Sequence, residues 1–159
     1  MIVNLKKNWN KMSESYQKEF GKIWGAKRFS SDPSAFLGNV RGKKVVELGC
    51  GAGQSSIILS KKGAMCSGID FSRKQIEYGK LLAEKEKVKV NFVLGDLNNL
   101  DRYFPKNYFD IAFSIYALQY IENLDRLFAS VRKILKKNGL FVFSLDHPIW
   151  TSGEWKRVR

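Results

Sequence analysis

Apolar residues recur at steps of three and four along the first part of the chain. Leu5, Trp9, Met12, Tyr16, Phe20 and Ile23 or Trp24 fall on one face of a helix spanning residues 5–24. The cluster Ser30-Ser31-Asp32-Pro33-Ser34 breaks that helix, and the pattern then changes. Short apolar runs bounded by glycine and polar residues predict strands at 44–48, 64–69, 88–94, 109–114 and 140–145. Amphipathic segments between them predict helices over 54–62, 72–87 and 124–135. Gly63 suits a helix end, Ser72 an N-cap, and Asn138-Gly139 a turn before the last strand.

Strands that alternate with helices over short connections imply an α/β fold with a parallel sheet covered on both faces, because parallel neighbours need crossovers. Ligands of such sheets bind beyond the carboxyl ends of the strands. At 159 residues, 44% of them hydrophobic, the chain suits one core of ordinary size and hence one domain. Within it, residues 1–38 form a helical cap, 39–150 the core and 151–159 a tail. No apolar run approaches the roughly 20 residues that span a bilayer, and the N-terminus lacks a secretory pattern, so a cytoplasmic protein is expected. Cys50 and Cys66 are too few for a disulfide framework or a zinc site and read as small apolar fillers, so no metal site is expected.

The densest chemistry lies in Val45-Val46-Glu47-Leu48-Gly49-Cys50-Gly51-Ala52-Gly53-Gln54, a buried strand that turns around glycines into a helix. A dinucleotide fingerprint requires a sixth-position glycine counted from Gly49; Gln54 stands there, which argues against a nicotinamide cofactor. Asp70 closes the second strand 21 residues beyond Gly49, where a carboxylate accepts hydrogen bonds from ribose hydroxyls. Asp96 closes the third strand and can accept from an adenine amino group. Both aspartates also suit plain turn and capping roles.

Together, Glu-Leu-Gly-Cys-Gly-Ala-Gly, Gly-Ile-Asp-Phe-Ser, Gly-Asp-Leu and Tyr-Phe-Asp-Ile-Ala-Phe-Ser resemble, in order and spacing, the motifs of class I (Rossmann-like) S-adenosylmethionine-dependent methyltransferases across residues 40–146. The resemblance implies a three-layer sheet of order 3-2-1-4-5 that lacks the family's usual last two strands. It also implies S-adenosyl-L-methionine as cofactor and S-adenosyl-L-homocysteine as product. Glu47, Gly49, Cys50, Gly51 and Gly53 would surround the methionine part, Asp70 the ribose, Phe71 the adenine face, and Asp96 with Leu97 the adenine edge. Ser114 would lie near the methionine moiety, and Trp9 and Tyr16 would cover the cofactor. The sulfonium is already a reactive methyl donor, so a base is optional. His147, the only histidine, follows strand five as a candidate base. Tyr116, Gln119 and Tyr120 follow strand four as candidates to face the acceptor.

A net charge of +13 would suit nucleic acid, but the basic residues are scattered as pairs such as Lys27-Arg28 and Lys61-Lys62, several at helix ends. Nucleic acid is therefore possible but not favoured; the resemblance is particularly to the broad group acting on small molecules, which implies a small-molecule acceptor, and no membrane partner is expected. An RNA methyltransferase and a cofactor-binding module without catalysis are the alternatives. With no later strand, 140–145 would be an exposed apolar edge, which predicts either a fragment of a longer protein or an edge covered by self-association.

Overall fold

The computed structural model describes residues 10–13, 15, 17, 18 and 32–145. Five strands are β1 at Lys44–Leu48, β2 at Met65–Asp70, β3 at Val90–Leu94, β4 at Phe109–Ile115 and β5 at Leu135–Ser144. They run parallel in the order β3-β2-β1-β4-β5, as the family resemblance implies. An N-terminal helix, α1, is described at residues 10–13, 15, 17 and 18. It precedes α2 at Ser34–Leu37, α3 at Gln54–Lys61, α4 at Arg73–Lys85 and α5 at Leu124–Ile134. None of the helices among the described residues is long and apolar enough to cross a membrane.

The order follows from burial. In β1, Val45 to Leu48 are all buried, which only a central strand with both faces covered allows. Val46 and Leu48 pack with Ile69, Phe109, Leu127 and Ile134 on one face. Val45 packs on the other with Leu37, Leu59, Cys66 and Phe113. Each such side chain, fully buried, stabilises the fold by about 1.5–3 kcal/mol. The amphipathic α4 begins as its composition predicts, with Ser72 accepting from the Gln75 amide.

The structure departs from the sequence reading in three places. At α1, Met12 of the expected apolar stripe is 53% exposed while Ser13 is fully buried; the other residues of that stripe lie outside the described residues, and the described contacts of the helix are polar. The last strand begins at Leu135, not Leu140. Leu135 pairs with Phe109 and Leu140 with Ile111, and the surplus residues bulge around Asn138, whose φ of 64° confirms the turn signal within the strand. The third strand begins two residues later than expected, at Val90, after Lys87 takes a left-handed conformation.

Along β5, Leu140, Phe143 and neighbouring Leu145 are exposed. Phe128 of α5 packs edge-on against Phe141 and at a tilt against Phe143 on this edge, at centroid distances of 5.9 and 5.7 Å. Among the described residues, β5 thus carries exposed apolar side chains at the end of the strand order.

Candidate functional site

Beyond the carboxyl ends of β1 to β4 lies a cavity of about 510 Å³. The first three of those strands each end near a carboxylate that accepts backbone N–H groups from the segment that follows. On β1, Glu47 Oε2 accepts from the Ser56 amide at 3.0 Å and the Ser56 hydroxyl at 2.6 Å. The N-cap of α3 is Gly53, which has no side chain to cap with. Glu47 supplies the missing acceptor at the third helical residue, near the positive end of the helix dipole.

On β2, Asp70 Oδ2 accepts from the Gly51 amide at 2.9 Å and Oδ1 from the Ser72 amide at 2.8 Å, tying the glycine loop to the start of α4. On β3, Asp96 is exposed and caps the 3-10 turn Leu97–Arg102, its Oδ1 accepting from both the amide and the side chain of Asn98. Capping roles and a place on the cavity wall therefore coexist at all three acids, because a carboxylate has about four acceptor positions.

Burial raises the Glu47 carboxyl to about 7, against the Ser56 hydrogen bonds that favour its ionised form. Burial also raises Asp70, opposed by the Ser72 and Gly51 amides. A raised folded-state value gives stability that is present at low pH and lost as pH rises. Between about pH 4.5 and 7 folded Glu47 holds a proton that the unfolded chain has released. Unfolding free energy is expected to fall across that window by on the order of 3 kcal/mol from this group. Urea unfolding of Glu47→Gln, which retains an acceptor for Ser56, should show that slope removed; an unchanged slope would refute the assignment.

The cavity brings together Glu47, Gly49, Cys50, Gly51, Asp70, Phe71, Asp96, Leu97, Tyr116 and Tyr120 of the expected residues. Three expected residues, Gln119, Ser114 and Gly53, are not on its wall. Ser114 is buried and its hydroxyl donates to the Leu48 carbonyl at 2.8 Å, joining β4 to β1. Gly53 packs against Phe92, whose ring a Cβ would strike. Trp9, Tyr16 and His147 lie outside the described residues. Cys50 is buried beneath the loop, its thiol pushed well above the usual range by burial and by Asp70 and Glu47. Its sulfur also explains Gly68, where a Cβ would lie 2.8 Å from it.

Sequence reading did not select Gln17, Gln75, Asn98, Tyr103 or Glu122, which also line the cavity. Gln17 had a legible signal, since Asn10, Ser13 and Gln17 share one helical face. Tyr103 is betrayed by Gly95, whose Cβ would lie 2.7 Å from its ring. Tyr116 combines a left-handed backbone, φ 52°, with a place at the cavity mouth. Its amide donates to the Ser144 carbonyl at 3.3 Å, which helps to hold a conformation costing about 1–2 kcal/mol.

Residues 46–143 match the family model described as a methyltransferase domain. A ubiquinone biosynthesis O-methyltransferase of Pelagibacter ubique is 32% identical over 67% of this chain and 43% of its own length. A sterol 24-C-methyltransferase of Gibberella zeae is 32% identical over 66% of this chain and 28% of its own. Their names differ in both acceptor and methylated atom. A crystallised S-adenosylmethionine-dependent methyltransferase of Mesorhizobium loti is 35% identical, with a TM-score of 0.66, over 73% of this chain and 52% of that one. The chain thus spans about half the length, or less, of these relatives. The strand order, the acids closing the first three strands and the match over most of the sheet lead to one conclusion: this chain belongs to the class I S-adenosylmethionine-dependent methyltransferase family.

Proposed function

We propose that the protein transfers a methyl group from S-adenosylmethionine to a small acceptor that is neutral or positively charged. The charge of the cavity wall carries this reading. In a chain of net charge +13, the described wall holds Glu47, Asp70, Asp96 and Glu122 and no cationic side chain. Such a wall fits the cofactor, whose sulfonium and ammonium outweigh its single carboxylate. Gly51 adds room: a Cβ there would meet nothing nearer than Gln75 Oε1 at 3.8 Å.

Bound there, the cofactor supplies a sulfonium-activated methyl group. The remaining acceptor positions of Asp70 suit ribose hydroxyls, Phe71 suits the adenine face, and Asp96 with the Leu97 amide suits its edge. Glu47, Gly49, Cys50 and Gly51 frame the methionine end. Tyr116 and Tyr120 flank the acceptor, His147 is assigned as its proton acceptor, and Trp9 and Tyr16 as cover for the cofactor. The protein's contribution is placement and exclusion of water, which suffices when the donor is intrinsically reactive. The assignment of residues 1–38 as a cap, 39–150 as the core and 151–159 as a tail of one domain, and self-association along β5, belong to the same proposal.

RNA methylation is the weaker reading, since a phosphate approaching the mouth would meet Glu122 rather than a cation. Titration calorimetry with S-adenosylmethionine and S-adenosylhomocysteine, followed by transfer assays on phenols, amines and tRNA, tests the proposal. Binding of both nucleosides and turnover on a neutral or amine acceptor are expected. Absence of binding overturns the cofactor assignment, and turnover on tRNA alone overturns the acceptor class. Binding without turnover on any acceptor would make the chain a binding module.

A further inference from the structure

The sixth position of the glycine loop, which argues against a nicotinamide cofactor, has a function of its own. Gln54 opens α3 and donates from Nε2 to Gln17 Oε1 of α1 at 2.7 Å. Gln17 in turn donates from its own Nε2 to Gln75 Oε1 of α4 at 2.8 Å. One amide thus bridges two helices, and all three glutamines line the cavity.

The three amides are oriented as a set. Turning the Gln17 amide alone would set an NH₂ against the NH₂ of Gln54 and an oxygen against the oxygen of Gln75. Two further contacts follow along the same face of α1. Asn10 Oδ1 accepts from the Ser72 hydroxyl at 2.7 Å, and the Ser13 and Ser72 hydroxyls lie 3.4 Å apart. The seam is protected on the domain side, where Ser13 is 0%, Ser72 1% and Gln75 2% exposed, while Met12 beside it is 53% exposed. Neutral hydrogen bonds of this kind contribute little net, because opening the helix returns each group to water, so the seam is weaker than an apolar one of equal area.

We infer that Gln17, braced by Gln54 and Gln75, is a latch that holds α1 over the glycine-loop end of the cavity and sets how long the cofactor stays. Gln17 is a positioning residue. It acts on the donor through the closure of α1, with no part in the transfer. The inference rests on the proposed use of the cavity for S-adenosylmethionine.

The test measures S-adenosylhomocysteine release by stopped flow for the wild-type chain, Gln17→Ala, Gln54→Ala and the double variant. Release is expected to be about tenfold faster in Gln17→Ala, and the two substitutions together to add little, since both break one bridge. The KM for S-adenosylmethionine should rise while single-turnover transfer at saturating donor stays unchanged. Hydrogen exchange supplies a second readout: ligand should slow the amides of residues 10–18 in the wild type and much less in Gln17→Ala. Gln17→Glu keeps the acceptor for Gln54 but cannot donate, so its bond to Gln75 survives only if the Gln75 amide turns to donate; a release rate between those of the wild type and Gln17→Ala is expected. Wild-type release and protection in a folded Gln17→Ala would overturn the latch. Failure of the wild-type chain to bind S-adenosylhomocysteine would instead overturn the cofactor reading beneath it.

Discussion

Replacing Asp70 by alanine is expected to destabilise the fold by about 2–5 kcal/mol and to weaken S-adenosylmethionine binding at least ~100-fold. The estimate follows from what the carboxylate holds. The amides of Gly51 and Ser72 both donate to it, and Asp70 itself is only 8% exposed. Alanine leaves two amides without their acceptor, each costing about 1–3 kcal/mol when buried. It also frees the loop from α4, so the cofactor would have to order the segment that should receive it. Asp70→Asn retains one acceptor and is expected to fall between alanine and the wild type. Urea unfolding and calorimetry separate the two effects. An alanine variant with the wild-type midpoint and affinity would refute both.

Gly49→Ala and Gly51→Ala should fail for different reasons, although the two glycines stand two residues apart and both have positive φ, 70° and 52°. At Gly49 a Cβ would collide with the Cβ of Ala117, which follows β4. Conformational strain and steric overlap add there, for a loss of about 3 kcal/mol or more. At Gly51 the nearest atom, Gln75 Oε1, is 3.8 Å away. Only the strain remains, about 1–2 kcal/mol, and the larger effect is expected on cofactor affinity. Ala117→Gly should recover much of the stability lost in Gly49→Ala and none of that lost in Gly51→Ala. Thermal unfolding of the four variants checks this; equal rescue of both, or of neither, would contradict the packing argument.

These residues show what was legible in the chain before its structure. Strand runs such as Val45-Val46 and Ile111 to Phe113 announce themselves because a strand buried on both faces is largely apolar, and the acids near the strand ends line the cavity. The reasons for the glycines were less legible. Gly49, Gly53 and Gly95 are small because Ala117, Phe92 and Tyr103 press on them from elements distant in sequence, and a linear motif carries no trace of that pressure. The docking of α1 was hidden for a related reason. Hydrophobic periodicity finds apolar faces, whereas the described contacts of this helix with the domain are made by Asn10, Ser13 and Gln17. Glu47 was read as a ligand for the cofactor, and its capping of α3 became visible only with Ser56 in place.

The register of the sheet has a consequence for how such a site comes into being. Along β1 and β2, Lys44 pairs with Met65 only 21 residues away, and along β2 and β3 Cys66 pairs with Val90 at 24. Across β1 and β4, Val45 pairs with Ile111 at a separation of 66. Closing that loop costs the most chain entropy of any joint in the sheet, so it is the slowest seam to gain from local contacts. The cavity lies astride it, with Asp70 and Asp96 on one side and Ala117 and Tyr120 on the other. The half that carries the first three strands has a short-range route to assembly. The pocket itself is complete only when the longest loop has closed.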